Sequence, residues 1–290
     1  MEVDFNKMLK KSSFIITRFN LKLFSKDKNN KTTLTEQWLK ERFELFETYC
    51  FPSVEGQVLQ NFYWLCLFAD DTQEQFKQRA IALHRAYPAF LPLFLNDSES
   101  ENYLDYINQV ISELKDSSDK LITIRLDNDD SININYTKEV DKLYGEQLDN
   151  EVCYSFKYGI QYYTKKNFAV RIPYSTNHFL CLLNKKYYKG NIKNILEFNH
   201  AYPNEFPFGF KCISNKIPMW IEVVHGRNVD NDCKMTLNQK VLCQRDLLQQ
   251  YFHVTNKISP FLSRVRIFTF LIPAFLKQFM HRLITKIQSK

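Results

Sequence analysis

At 290 residues, with 44% hydrophobic and 15% aromatic side chains, the chain is long enough to bury one large core or two small ones, and its composition excludes a disordered class. The formal charge is +7, but Pro260 to Lys290 holds six Lys and Arg residues and no acid, so the basicity is local and argues against a nucleic-acid-binding face. Seven widely spaced cysteines without a C-x-x-C pair read as reduced thiols of a cytosolic protein, the N-terminus shows no signal-peptide-like apolar stretch, and no run approaches the roughly 18 apolar residues of a spanning helix.

In chain order, Phe14 to Phe19 reads as a first strand and opens into a polar loop, Ser25 to Thr33. Thr35 is placed to cap a helix over Glu36 to Tyr49, whose broad apolar face carries Trp38, Leu39, Phe43, Leu45 and Phe46, and Pro52-Ser53 is expected to interrupt it. Asn61 to Phe68 is a second strand, ending on Ala69-Asp70-Asp71-Thr72; Thr72 is expected to cap a helix from Gln73 to Tyr87. Phe90 to Leu95 is a third strand, and Leu104, Ile107, Val110, Ile111 and Leu114 recur at helical spacing over Asn102 to Lys115. Leu121 to Leu126 is a fourth strand. The alternation predicts an α/β fold with a mostly parallel central sheet and helices on its faces.

Beyond residue 150, Val152 to Tyr163, Phe168 to Tyr174, Phe179 to Leu183 and Met219 to His225 read as further strands, and Asn199 to Phe210 as a loop. With no internal repeat and no clear linker, one domain is expected over 1–258, its first half (about 12–135) binding a nucleotide sugar and its second (about 136–258) an acceptor, followed by a tail over 259–290.

The fourth strand runs into Asp127-Asn128-Asp129-Asp130. Acids packed at the end of a core strand repel one another, and a hard divalent cation with oxygen ligands is the simplest counter-charge. In an extended segment Asp127 and Asp129 point the same way. Ligands of such sheets bind beyond the carboxyl ends of the strands. Three polar clusters fall there: Thr17, Arg18 and Asn20; Asp70 and Asp71; and Asp127 to Asp130. The six glycines, never closer than 14 residues apart, exclude a phosphate-cradling P-loop or a dinucleotide fingerprint, so bound phosphates would be held by a metal and basic side chains.

Six blocks in order carry a family resemblance: Thr17-Arg18-Phe19-Asn20; Trp38-Leu39 with Arg42; Tyr49-Cys50-Phe51-Pro52-Ser53; Phe62-Tyr63-Trp64; Arg125 to Asp130; and Val224-His225-Gly226-Arg227-Asn228. From about residue 12 to 230 the chain resembles the putative rhamnosyl transferase family of bacterial glycosyltransferases. The resemblance implies a GT-A-like single domain with a D-x-D metal motif, in which Asp127 and Asp129 bind Mn²⁺ or Mg²⁺ together with the diphosphate of a nucleoside-diphosphate sugar. His225 resembles the late metal or phosphate ligand of that fold. Thr17, Arg18, Asn20, Asp70, Arg125 and Asp127 make up the expected nucleotide-binding set, with Arg18 on a phosphate or base edge and Asp70 on the base or ribose. Asp130 would orient the sugar or cap the next segment, and Glu205 or Glu222 would be the general base toward a glycan or lipid-linked acceptor. Arg227 stands where a small residue is expected.

In the tail, Val265, Phe268, Ile272, Phe275, Phe279 and Leu283 recur every three or four residues among Arg264, Arg266, Lys277, Arg282 and Lys286, with Pro273 kinking the helix. A basic amphipathic helix of this kind suits an anionic membrane surface and predicts a cytoplasmic enzyme peripheral to the inner membrane; a helix packed on the domain or on a second copy is the other reading. Two rival classes stand beside the transferase, a nucleotidyl- or phosphosugar transferase and a non-catalytic membrane-docked adaptor.

Overall fold

The computed structural model describes residues 5–21, 35–147, 149–186, 192–225 and 240–266, together with Ile272 and Leu276. Its first half follows the expected alternation: β1 (Ser13–Arg18), α1 (Glu36–Leu45), α2 (Phe51–Glu55), β2 (Tyr63–Ala69), α3 (Glu74–Ala86), β3 (Phe90–Leu95), α4 (Asp97–Glu101), α5 (Tyr103–Leu114) and β4 (Leu121–Arg125). The second half holds β5 (Ser131–Ile132), α6 (Tyr136–Glu146), β6 (Glu151–Phe156), β7 (Tyr158–Tyr163), β8 (Phe168–Pro173), β9 (Cys181–Asn184), β10 (Gly209–Ile213), β11 (Trp220–Val224), β12 (Lys240–Leu242), α7 (Leu247–Phe252) and α8 (Pro260–Arg266).

The strands divide between two sheets. The larger has seven in the order β10-β6-β9-β4-β1-β2-β3. Only β9 runs against its neighbours, so this sheet is mixed and mostly parallel, as expected. The second, β12-β8-β7-β11-β5, is mainly antiparallel and was not anticipated. The strands after residue 150 therefore split: β6, β9 and β10 join the first sheet, while β7, β8, β11 and β12 belong to the other. The short segment from Leu126 to Asp130 is the bridge, leaving β4 in the first sheet and entering β5 in the second.

Thr35 caps α1 as expected, its hydroxyl accepting from Trp38 N at 3.2 Å. Pro52 does not end the helix. A π-helical turn, Phe46 to Cys50, joins α1 to α2, and Pro52 sits in the first turn of α2, where its missing N–H costs least. Thr72 is not the cap of α3; its hydroxyl donates to Ala69 O and accepts from Asn20 Nδ2 at 2.9 Å. Between the α1–α2 helix and β1–β3 lies an aromatic core of Phe19, Phe43, Phe46, Phe51, Trp64, Phe68 and Phe90, all buried, with neighbouring rings 4.5–6.0 Å apart. Such rings contribute more than their area when tilted or offset.

In the second sheet, Gly159 leaves room for the Trp220 ring: a Cβ there would lie 2.0 Å from it. Trp220 in turn stacks on Phe179 at 5.0 Å, which anchors the start of β9. The loop over Ser25 to Thr33, the Gly226-Arg227-Asn228 block and most of the basic tail lie outside the described residues. Among those described, no helix is long and apolar enough to cross a membrane.

Candidate functional site

The acidic segment is a turn. Asp130 N donates to Asp127 O at 3.3 Å, so Asp127 and Asp129 do not share a face as an extended strand would place them. The turn directs the three carboxylates to three different sets of partners, drawn from both sheets and from α1.

Asp127 lies nearest solvent, with 34% of its side chain exposed, and Arg125 reaches it at 3.3 and 3.4 Å. Burial opposes its ionisation, but Arg125, His178 and Arg18 outweigh it and hold the carboxyl well below the usual range. Asp129 is buried and takes a 2.6 Å ion pair from Arg42 of α1, with His225 Nε2 at 2.9 Å on the same oxygen. There too burial is overcome, by Arg42 and His225, and the carboxyl falls to about 2. Asp130 is the most enclosed. Its Oδ1 accepts from Val223 N of β11 at 2.9 Å, and its Oδ2 lies 2.7 Å from His178 Nε2. For Asp130, burial together with Asp129 and Asp127 prevails over the His178 hydrogen bond and pushes the carboxyl up to about 7. Burial favours a neutral His178 ring, but Asp130 and Asp127 keep it protonated, up to about 9.

Asp127, Asp130 and His178 each offer one ligand atom, and the three atoms lie within 4.8 Å of one another. Two carboxylates and an imidazole converging at this spacing fit a divalent cation of the Mn²⁺ or Zn²⁺ type better than a purely oxygen-seeking one. The expected set of Asp127, Asp129 and His225 is thus divided. Asp129 and His225 lie together, with Arg42 on the same Asp129 oxygen, while Asp127 converges with Asp130 and with His178, a residue not singled out from the sequence. The positive charge that the crowded acids need is supplied in part by Arg42 and Arg125.

The helix positions the turn along one face. Arg42 Nη1 donates to Asn128 Oδ1 at 3.1 Å as well as to Asp129, Cys50 Sγ to Asp127 O at 3.6 Å, and Tyr49 O accepts from Ser131 Oγ at 2.8 Å. Asn128 donates to Phe19 O at 2.7 Å and Arg18 O at 3.3 Å, tying the turn to the end of β1. Because β9 is antiparallel to β4, its start lies at the carboxyl end of β4, and Asn177 holds that start by donating to Phe156 O and accepting from Phe179 N.

The other expected residues take varied places. Arg18 ends β1 and acts electrostatically on Asp127. Thr17 is fully buried, its hydroxyl accepting from Trp64 Nε1 at 2.9 Å, and Asn20 bonds Ala69 N and Thr72. Both brace the strand ends. Asp70 is exposed beyond β2. Glu205 is exposed in a turn, with no described contact to the acids. Glu222 is buried in β11, one residue before the amide that binds Asp130, and accepts from Gln161 Nε2 at 2.6 Å; Tyr163 Oη donates to Gln161 Oε1 at 2.9 Å. His200 is a further unanticipated member: its Nδ1 lies 3.4 Å from Arg125 Nη1, and burial, with Arg125 and His178, pushes its ring down to about 4.

Arg42 is the residue on which Asp129 most depends, since both side chains are withdrawn from water (7% and 13% exposed). Arg42→Ala strands a buried charge and should lower stability by about 3–5 kcal/mol in urea denaturation. A loss under about 1 kcal/mol would mean that Asp129 is neutralised without it.

Three solved structures show partial likeness. S. aureus TarS 1-349 in complex with UDP is 13% identical with a TM-score of 0.40, covering 74% of this chain and 60% of that one. S. aureus TarS 1-349 is 13% identical with a TM-score of 0.34 (50% and 36%), and the WbbM bifunctional glycosyltransferase apo structure is 13% identical with a TM-score of 0.31 (61% and 32%). The chain thus spans about a third to three fifths of the length of these structures. No curated protein matches it. The family model described as "Putative rhamnosyl transferase" matches residues 12–237, which include every member of the acidic site, and the chain belongs to that family.

Proposed function

We propose that the protein is a metal-dependent glycosyltransferase of GT-A type that moves a sugar from a nucleoside-diphosphate donor to a glycan or lipid-linked acceptor in surface polysaccharide synthesis. The observation that carries this reading is the convergence of Asp127, Asp130 and His178 at the carboxyl end of β4 in a chain of this family. When bound there, Mn²⁺ would neutralise the charge that builds on the leaving diphosphate.

The remaining roles belong to the chain's own side chains. Arg18 and Arg125 flank Asp127 and offer guanidinium donors to donor phosphates. Arg42 and His225 fix Asp129, which holds the turn in shape. Glu222 is the better candidate for the base that takes the acceptor hydroxyl proton. It lies on the face of β11 that carries Trp220, and Gln161 holds its carboxylate in one orientation, whereas Glu205 is exposed and unheld.

Thermal-shift measurements with UDP, dTDP and GDP, each with and without Mn²⁺, test the donor site. At about a hundred times the dissociation constant, a bound nucleotide stabilises by about 2.7 kcal/mol, a rise of roughly 5–10 °C for a chain of this size. The rise should need Mn²⁺ and disappear in Asp127→Asn. No shift with any nucleotide, or an equal shift in the variant, contradicts the reading.

For the tail, we propose docking on an anionic membrane surface. Phe261, Val265, Ile272 and Leu276 are exposed at helical spacing beside Arg264. Sedimentation with phosphatidylglycerol vesicles should be lost when residues 260–290 are removed, and unchanged binding would refute it.

A further inference from the structure

The segment after β9 carries a group of aromatic rings that the donor site does not use. Phe198, Phe206, Phe208 and Phe210 are each half-buried over a small apolar cluster of Cys153, Leu180, Leu182 and Ile195. Their ring centroids lie 4.7–6.2 Å apart, all tilted or edge to face, so no ring of the four is stacked flat on another. Tyr202, in the same segment, is 56% exposed. Phe210 belongs to β10, the edge strand of the larger sheet. Four partly exposed rings in contact, with the exposed Tyr202 in the same segment, make an apolar surface of the kind that marks a binding face.

Two observations say what would lie on it. The first is continuity with the acidic site. His200 sits between Phe198 and Tyr202 and touches Arg125, and Ile195 N donates to Thr123 Oγ1 of β4 at 3.0 Å, so the aromatic surface is anchored to the strand that delivers Asp127. The second is charge. Between Phe198 and Phe210, Glu205 is the only Asp, Glu, Lys or Arg, and it is exposed. A surface for anionic lipid would carry cations. An aromatic surface without them suits an uncharged ligand whose C–H groups, slightly positive, meet the negative faces of the rings. A pyranose has such a C–H face, with hydroxyls around its rim for the neighbouring asparagines, Asn199 and Asn204.

Resting on the transferase reading above, we infer that Phe198, Tyr202, Phe206 and Phe208 form a stacking platform for an uncharged stretch of the acceptor carbohydrate, beside the donor site and reached through His200.

The test is titration of the full chain, with UDP and Mn²⁺ present, by saturation-transfer NMR against neutral di- and trisaccharides ending in rhamnose, glucose or galactose. Two variants are compared with the wild type. Tyr202→Ala removes an exposed ring, and Phe208→Leu keeps apolar bulk while removing the aromatic face, so folding is retained. At least one saccharide should bind, and each variant should weaken it about tenfold while leaving the nucleotide-dependent thermal shift unchanged. Unchanged saccharide affinity in both variants overturns the inference. So does a wild type that binds none of the panel. Loss of the nucleotide shift in the wild type would defeat the donor-site reading, a result separable from failure of the platform alone.

Discussion

Three carboxylates are packed into one tight turn at the seam between two sheets, and the rest of the structure around them is arranged to make that tolerable. Two like charges about 4 Å apart repel by about 4 kcal/mol at an effective dielectric of about 20. Left alone, the turn would open or its acids would stay protonated. Instead each acid has its own counterpart: Arg125 for Asp127, Arg42 with His225 for Asp129, and His178 with the Val223 amide for Asp130. These partners come from β4, α1, the segment that leads into β9 and the carboxyl end of β11 in the second sheet. The turn therefore joins elements distant in sequence, and its shape depends on all of them. Compensation is uneven. Asp130 keeps a raised carboxyl beside Asp127, where a divalent cation would gain most.

The π-helical turn at Phe46 to Cys50 shows how the helix serves this seam. It carries the chain past Pro52 without a break, so one continuous helical rod presents Arg42, Tyr49 and Cys50 to the acidic turn and its buried ring side chains to the sheet. On the far side, Gly159 admits Trp220, Trp220 stacks under Phe179, and Phe179 fixes the strand start that carries His178. Glycine at 159 is thus linked by packing to the segment that carries His178.

Much of this was legible in the sequence. The apolar run Phe90 to Leu95 and the 3.6-residue periodicity through Ile107, Val110 and Leu114 gave their elements directly, because both are buried on the faces their pattern implies. The acid block was visible as a charge cluster ending a core strand. Its conformation was not, because whether Asp127 to Asp130 extends or turns is decided by Arg42, Val223 and the Phe19 carbonyl that accepts from Asn128, which reach it only through the tertiary fold. Arg42 left a faint signal, a lone cation among Trp38, Leu39, Phe43 and Phe46 on an apolar face. His178 left one too, at the head of the run Phe179 to Leu183; reading it required knowing that β9 is antiparallel, which places its beginning at the carboxyl end of β4. The second sheet went unseen because β7 and β8 are mostly buried, as β6 is, and strand pattern alone does not say which sheet a strand joins.

The central claim is that a divalent cation sits between Asp127, Asp130 and His178 when a donor nucleotide is bound. Its most direct test is a crystal grown with Mn²⁺ and UDP or dTDP, measured at the manganese absorption edge. The account predicts one anomalous peak within about 2.0–2.3 Å of an oxygen of Asp127, an oxygen of Asp130 and a nitrogen of His178. An anomalous map with no peak there, or with manganese held by Asp129 and His225 and out of reach of Asp130 and His178, would contradict it.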